Sequence, residues 1–581
     1  MSQKNKNFDA WNPGIESEIP SRLREKITLF RKENSEVSYQ DAVLAGALCG
    51  LKPQEVCCLS LKRLVIHELL IRVTADLTVP DGPKYEDLGI SLRSMVKKIF
   101  ESHIEKKLDD ISDDYRKFCF KAEQRIFEIF TEDFLGATSE AKSGRQIFEK
   151  LTFFKRYKKQ EYQTKEFRDV KILKEWSAYN TTGADFDSCC KFSLARVISG
   201  IINLRGSLTS NSGIFLPVVL NVFKNNFGGS EISRLVDPFF QSAVDLEGYR
   251  VLPAQLTPIV MNTKGASASG KSTIRPRQRL LSEKMSVTWE DFALISPDYW
   301  RKFLLDYSSL GSDFKYGAML TGHELEIIDK KLDLYMEQKA LSGKMPHLLI
   351  DRFRFDSFIV SGDGNYTSRL LTRFGQKIFL FFVITSPVET VERAWQRGLT
   401  TSRYKAVDDL LFHNIEAYAG MPELFFSWMA IADKEINFEF LDNNVSLGDL
   451  PKTIAFGDMV RMTILDLAAI NNIDLFGEIN VNAKSRDEVF INTEKKNYNF
   501  VKQCIAKISK VIFVERNTSK IYGVYSKGRW IYRDQFYKST TSLETECLVA
   551  LGWYENLYQT KKCKPVYYTD KDDELTLGSK I

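Results

Sequence analysis

The sequence predicts a multi-domain protein built around a central α/β parallel sheet, with a mostly α-helical N-terminal domain and a small α+β C-terminal domain. Three changes of texture along the chain carry that expectation. In residues 1–245, apolar residues recur at three- and four-residue steps, as in "SRLREKITLFRKEN", "LKRLVIHELLIRV" and "RSMVKKIFESHIEKKLDDI". That is the period of amphipathic helices. In residues 246–460, short apolar runs alternate with helical patterns, the signature of a parallel sheet. In residues 461–581, "KVIFVE", "KIYGVYS" and "RWIYRD" are short strands, and a helix follows at "LETECLVALGWYENLYQ" before an acidic tail. The length of 581 residues agrees with about two to four domains.

Composition narrows the class. The chain is 44% hydrophobic and 27% charged, which is ordinary for a globular protein. A net charge of +5 comes from nearly balanced acids and bases, so charge alone does not point to a polyanionic partner. The nine cysteines include the adjacent pairs Cys57–Cys58 and Cys189–Cys190 but no C-x-x-C. They form neither a disulfide framework nor a zinc pattern, so a reducing, cytoplasmic setting is expected. "MSQKNKNFDAWNPG" has no apolar core of a signal peptide, and the longest apolar run, "IFLFFVI", is too short to span a bilayer. No membrane role is expected.

Within the central region five runs read as strands: "QLTPIVM", "DFALIS", "PHLLID", "KIFLFFVIT" and "INFEFLD". After the first comes "GASASGKST", a G-x-x-x-x-G-K-S pattern, followed by a basic helical segment in which Pro276 suits a first turn. Between a buried strand and a helix, such a loop encloses a polyphosphate. The backbone of Gly265, Ala266, Ser267, Ala268, Ser269, Gly270, Lys271, Ser272 and Thr273 would face the phosphates. Lys271 would reach the β- and γ-phosphates of ATP, and Ser272 would hold Mg²⁺. Lys264, Arg275, Arg277 and Arg279 add charge nearby. Strand, loop, helix and further strands make a P-loop kinase-like sheet.

Ligands on such a sheet sit beyond the carboxyl ends of its strands. Asp298, after "ALIS", is placed to take a hydroxyl proton as a kinase base does, or to cap the helix starting at Tyr299. Asp351, after "HLLI", is a second candidate for Mg²⁺. Ser386, Pro387 and Glu389 start a helix that carries Arg393 and Arg397 on one face and stops at Gly398. "LTTSRYKAVDD" then supplies Arg403 on a candidate lid, where arginines can stabilise a moving phosphoryl group. Arg352 and Arg354 either bind anions or pair with Asp356.

In this order of residues, positions 255–445 resemble the zeta-toxin-like kinases. "GASASGKST" is similar to that family's P-loop. "PDYWR" resembles its D-x-x-R, which implies Asp298 as general base with Arg301 nearby. "TGHELEIIDKKLDLYMEQKA" is similar to its helix opening on a His-Glu pair, which implies substrate contact by Glu324 with His323 beside it. "ERAWQRGLTTSR" resembles the arginine helix and lid that clamp the γ-phosphate, and "FLDNN" the end of the last strand. The resemblance implies an ATP- and Mg²⁺-dependent phosphotransferase whose acceptor is a small molecule, with nucleotide-sugars among the family's substrates. "IDRFRF" departs from the family's small-residue turn and changes the substrate-facing loop.

Two other readings stand beside this one. Arg529, Trp530, Tyr532 and Lys538 could stack on bases, which would favour a polynucleotide 5′-kinase, or pack against one another. A nucleotide-binding interaction protein without catalysis is the other, with protein partners held by the flanking domains. The large helical flank and acidic tail also fit a secreted bacterial effector acting in a host cell.

Overall fold

In the computed structural model of the chain, the described residues are 8–84, 86–136, 165–178, 185–208, 212–352, 371–446, 448–490, 498–539, 541–555, 566–568 and 575–579. One mixed sheet runs through them. Its strands are β1 (Ile259–Gly265), β2 (Phe292–Ile295), β3 (His347–Asp351), β4 (Lys377–Ile384), β5 (Glu435–Asp442) and β6 (Lys452–Asp458). They continue as β7 (Arg461–Ile464), β8 (Lys510–Glu515), β9 (Lys520–Ser526), β10 (Arg529–Arg533) and β11 (Val566–Tyr567). The order is β10-β9-β8-β7-β6-β5-β4-β1-β3-β2, with β11 pairing with β9 off that path.

The five strands expected in the central region are β1 to β5, mutually parallel in the order β5-β4-β1-β3-β2. Ile378 to Ile384 of β4 are all buried. A parallel strand with a neighbour on each side and layers on both faces leaves no position for a solvated side chain. β1 begins at Ile259 and not at Leu256, which is fully exposed. Pro258 just ahead of it has no N–H for a neighbouring strand.

The C-terminal strands extend this sheet and do not form a separate one. β6 runs antiparallel to β5, β7 antiparallel to β6, and β8 parallel to β7. The expected boundary between 460 and 461 therefore falls between paired strands. One contiguous apolar core includes Leu23, Val65, Phe382 and Val511, so it joins all three regions. Apolar alternation locates a strand but says nothing about its neighbour. The end of the acidic tail is anchored: buried Glu439 accepts hydrogen bonds from the backbone N–H of Leu577 (2.7 Å) and Gly578 (3.0 Å).

The aromatics of β10 build a core and not a stacking platform. Trp530 packs against Phe513, Tyr525 and Trp553, and its indole N–H donates to the Leu551 carbonyl at 3.0 Å. Tyr532 packs on Ile512, Val514 and Ile521. Arg529 and Lys538 are exposed, as is Phe536 between them.

The N-terminal region is helical, and its central helix, Leu61–Asp76, is buried from Arg63 to Ala75. Ser60 caps it by accepting from the Arg63 N–H at 3.4 Å. This helix packs between the helices Ser212–Glu247, Asp87–Ile99 and Gly322–Leu341 and against β2. Its polar residues are paired across the junction; the Trp300 indole N–H donates to Thr74 Oγ1 at 3.2 Å, and Lys339 bonds Asp76 at 2.5 Å. No helix among the described residues is long and apolar enough to cross a membrane.

Candidate active site

The loop after β1 turns sharply into a short 3₁₀ turn, Lys271–Ile274, and then the helix Arg275–Lys284, with Pro276 in its first turn. Ala268 and Gly270 are left-handed, with φ of 62° and 89°. Gly270 is required twice over, because a Cβ there would lie 2.2 Å from Asn443 Nδ2. That amide donates to the Ser269 carbonyl at 2.7 Å, and Thr385 Oγ1 donates to the same oxygen at 2.8 Å. Thr385 follows β4 and Asn443 follows β5, so two strand ends fix the loop from behind.

Lys271 curls over the loop and donates to the carbonyls of Gly265 (3.1 Å) and Ala266 (2.9 Å). Ser272 Oγ donates to Asp351 Oδ2 at 2.9 Å, so the hydroxyl and the carboxylate expected to hold Mg²⁺ stand side by side. Among the described residues no group of three His, Cys, Asp or Glu side chains could hold a metal alone. Two hard oxygens beside the glycine-rich loop nevertheless suit Mg²⁺, which keeps waters and takes its other ligands from substrate phosphates.

Asp298 lies in the 3₁₀ turn Pro297–Trp300, whose capping position is Ser296, so its carboxylate is free of the capping duty. It receives Arg301 Nε at 2.9 Å and pairs with Arg403 from the candidate lid. Burial works against its charge, but Arg403 and Arg301, helped by Arg397, outweigh it and hold the carboxyl well below the usual range. Arg397 and Arg403 also act on Lys271, whose amine is lowered first by burial. Lys271, Asp298, Arg397 and Arg403 therefore form one charged cluster at the carboxyl ends of the parallel strands. Arg393 stands at its edge, donating to the carbonyls of Asn443 (2.7 Å) and Val445 (3.0 Å).

Gly398 does not end the arginine helix, which runs Pro387–Thr401 and closes on left-handed Ser402. The glycine is there for space; a Cβ would meet the Tyr404 ring at 2.4 Å. Its absence lets the lid fold back so that Arg403 reaches Asp298.

Other expected site residues are engaged elsewhere. Glu324 is fully buried, 0% exposed, and receives Arg63 Nε (2.5 Å), Arg63 Nη2 (2.8 Å) and His67 Nε2 (2.7 Å). It locks the N-terminal helix to the central module and faces no cleft. His323 is half-exposed and lies 3.9 Å from Glu326. Arg301 Nη1 donates to Ala318 O (2.6 Å) and Thr321 Oγ1 (3.0 Å), so it supports the wall behind Asp298. Of the nearby basic residues, Lys264 is fully buried and donates to Arg352 O at 3.3 Å, Arg275 donates to the Tyr299 hydroxyl, and Arg279 pairs with Asp81. Arg352 pairs with Asp329 at 2.7 Å, while Arg354 and Asp356 lie outside the described residues.

Thr385, Arg63 and His67 escaped sequence reading. Thr385 has no motif around it. Arg63 and His67 sit four apart, a spacing that in the sequence resembles the solvated face of an amphipathic helix, although this helix is buried from Arg63 to Ala75. No family model, curated protein or solved structure gives a significant match to this chain.

Proposed function

We propose that the chain is an ATP-dependent phosphotransferase that moves the γ-phosphate to a hydroxyl acceptor. One observation carries the reading: Lys271, the Ser272–Asp351 pair and the Asp298–Arg403 pair meet at the carboxyl edge of five parallel strands. On this reading the loop amides and Lys271 bind the β- and γ-phosphates, and Ser272 and Asp351 hold Mg²⁺, which neutralises phosphate charge when bound. Arg393 lines the nucleotide side.

Asp298 takes the acceptor's proton. While Arg403 holds it, the carboxylate is a poor base, since each cation lowers its proton affinity. Arrival of the triphosphate draws Arg403 and Arg397 toward the transferring group. The same movement strengthens the base and places charge where the transition state needs it. A sensor needs no such pairing, which supports catalysis over the interaction-protein reading. The packing of Trp530 and Tyr532 against neighbouring side chains supports a small-molecule acceptor over the polynucleotide 5′-kinase reading. Nucleotide-sugars remain the acceptor class implied by the resemblance, with Glu324 no longer assigned to contact them.

Calorimetry tests the nucleotide site. Lys271→Ala should weaken MgATP binding by about tenfold or more with the melting temperature little changed, since the Lys271 ammonium donates to the loop carbonyls of Gly265 and Ala266. Equal binding by both proteins would remove the phosphate-loop assignment. Arg403→Ala should lower kcat more than it weakens ATP binding. It should also move the acid limb of kcat/KM to higher pH, because the Asp298 carboxyl rises when its partner leaves. An unmoved limb with unchanged kcat would return Arg403 to a surface role.

A further inference from the structure

We infer that residues 8–13 form a strap that positions Arg403 for the transferring phosphate, acting through Lys315 and Tyr404; the inference rests on the phosphotransferase reading. This stretch has neither helix nor strand. It closes on itself at Asp9, whose Oδ1 accepts the N–H of Trp11 (2.9 Å) and of Asn12 (2.8 Å). Trp11 donates its indole N–H to Glu392 Oε1 at 3.1 Å, on the same helix as Arg393 and Arg397. Ala10 is buried in a small apolar cluster with Val388, Val391 and Ala394 of that helix and Val407 and Leu410 of the next, Val407–Met429, and Trp11 packs against it. The strap thus bridges the two helices that the lid, residues 402–406, connects.

A second contact reaches the lid itself. The Lys315 ammonium donates to the Pro13 carbonyl at 2.6 Å and lies 3.9 Å from the centre of the Phe8 ring, 5.0 Å from that of Tyr404 and 5.7 Å from that of Trp395. One cation shared among ring faces ties them together, because each face carries the negative side of the ring's quadrupole. The Tyr404 ring is buried, with Phe314 and Trp395 at 5.8 and 5.6 Å between centroids. Tyr404 directly follows Arg403, so seating its ring fixes the backbone from which Arg403 reaches Asp298. The apolar cluster under the strap is separate from the main core. So small a set of contacts, outside that core, opens locally without unfolding the chain. The strap therefore sets how ordered the lid is before any nucleotide arrives.

Amide hydrogen exchange on the full-length chain without nucleotide reads the lid directly. Lys315→Met keeps the length of the side chain and removes its charge, and should speed exchange in residues 398–406 by about tenfold. Lys315→Arg still donates to Pro13 and lies over the rings, and should stay within about twofold of the unmodified chain. Trp11→Ala loosens the strap from its other end and should reproduce the faster exchange. Unchanged lid exchange in either Lys315→Met or Trp11→Ala would overturn the strap, so the test survives if one of them fails to fold. With labelled phosphate, Lys315→Met should lower kcat by about tenfold and leave the KM for ATP within about twofold, because Arg403 matters most as the phosphoryl group moves. In an Arg403→Ala background the same substitution should lower kcat no further, since it acts through that arginine. A full additional loss there would reduce the strap to a packing contact. Absence of transfer by the unmodified chain would remove the phosphotransferase reading and the positioning role with it, whatever the exchange shows.

Discussion

Asp298→Asn should bind MgATP within about threefold of the unmodified chain, yet transfer phosphate to its acceptor about a hundredfold more slowly, the scale of general-base loss. The substitution is nearly isosteric, and the turn it sits in rests on no side-chain cap, so the backbone has no reason to rearrange. The amide oxygen can still receive Arg301 Nε, now at 2.9 Å from the carboxylate. Only the proton-accepting charge is lost. Calorimetry reads the nucleotide and labelled phosphate reads the transfer. Undiminished transfer would leave Asp298 as an anchor for Arg403 and nothing more.

The largest stability effect should come from a residue far from the chemistry. Arg63→Met should destabilise the chain by about 3–5 kcal/mol, because it leaves Glu324 as a buried, largely uncompensated carboxylate. Removing both charges in Arg63→Met/Glu324→Leu should cost less than Arg63→Met alone. Urea denaturation measures both, and a double variant weaker than the single would argue against a buried ionic lock. His67 adds a pH dependence. Burial lowers its pKa from 6.5 to about 4, against the pull of Glu324. The unfolded chain therefore binds the extra proton between those values, so stability should fall as pH drops from 6.5 to 4. His67→Gln should lose that share of the slope.

Much of the central sheet was legible because its strands carry short, dense apolar runs. "KIFLFFVI" can hardly be anything but a covered strand, and the glycine-rich loop announces itself by spacing. Pairing partners were not legible. β8 to β10 read as short strands by themselves, and nothing in their composition says that β8 lies beside β7 or β7 beside β6. Glu324 was misplaced for a related reason, since its partner Arg63 is 261 positions earlier and reads as a helix surface charge.

The central claim is tested most directly by incubating the full-length chain and Lys271→Ala with γ-labelled ATP, Mg²⁺ and a panel of nucleotide-sugars, RNA and lysate small molecules. The account predicts label on a hydroxyl-bearing small-molecule acceptor with the unmodified chain and none with Lys271→Ala. No labelled acceptor from a chain that binds MgATP, or equal labelling by Lys271→Ala, would contradict it.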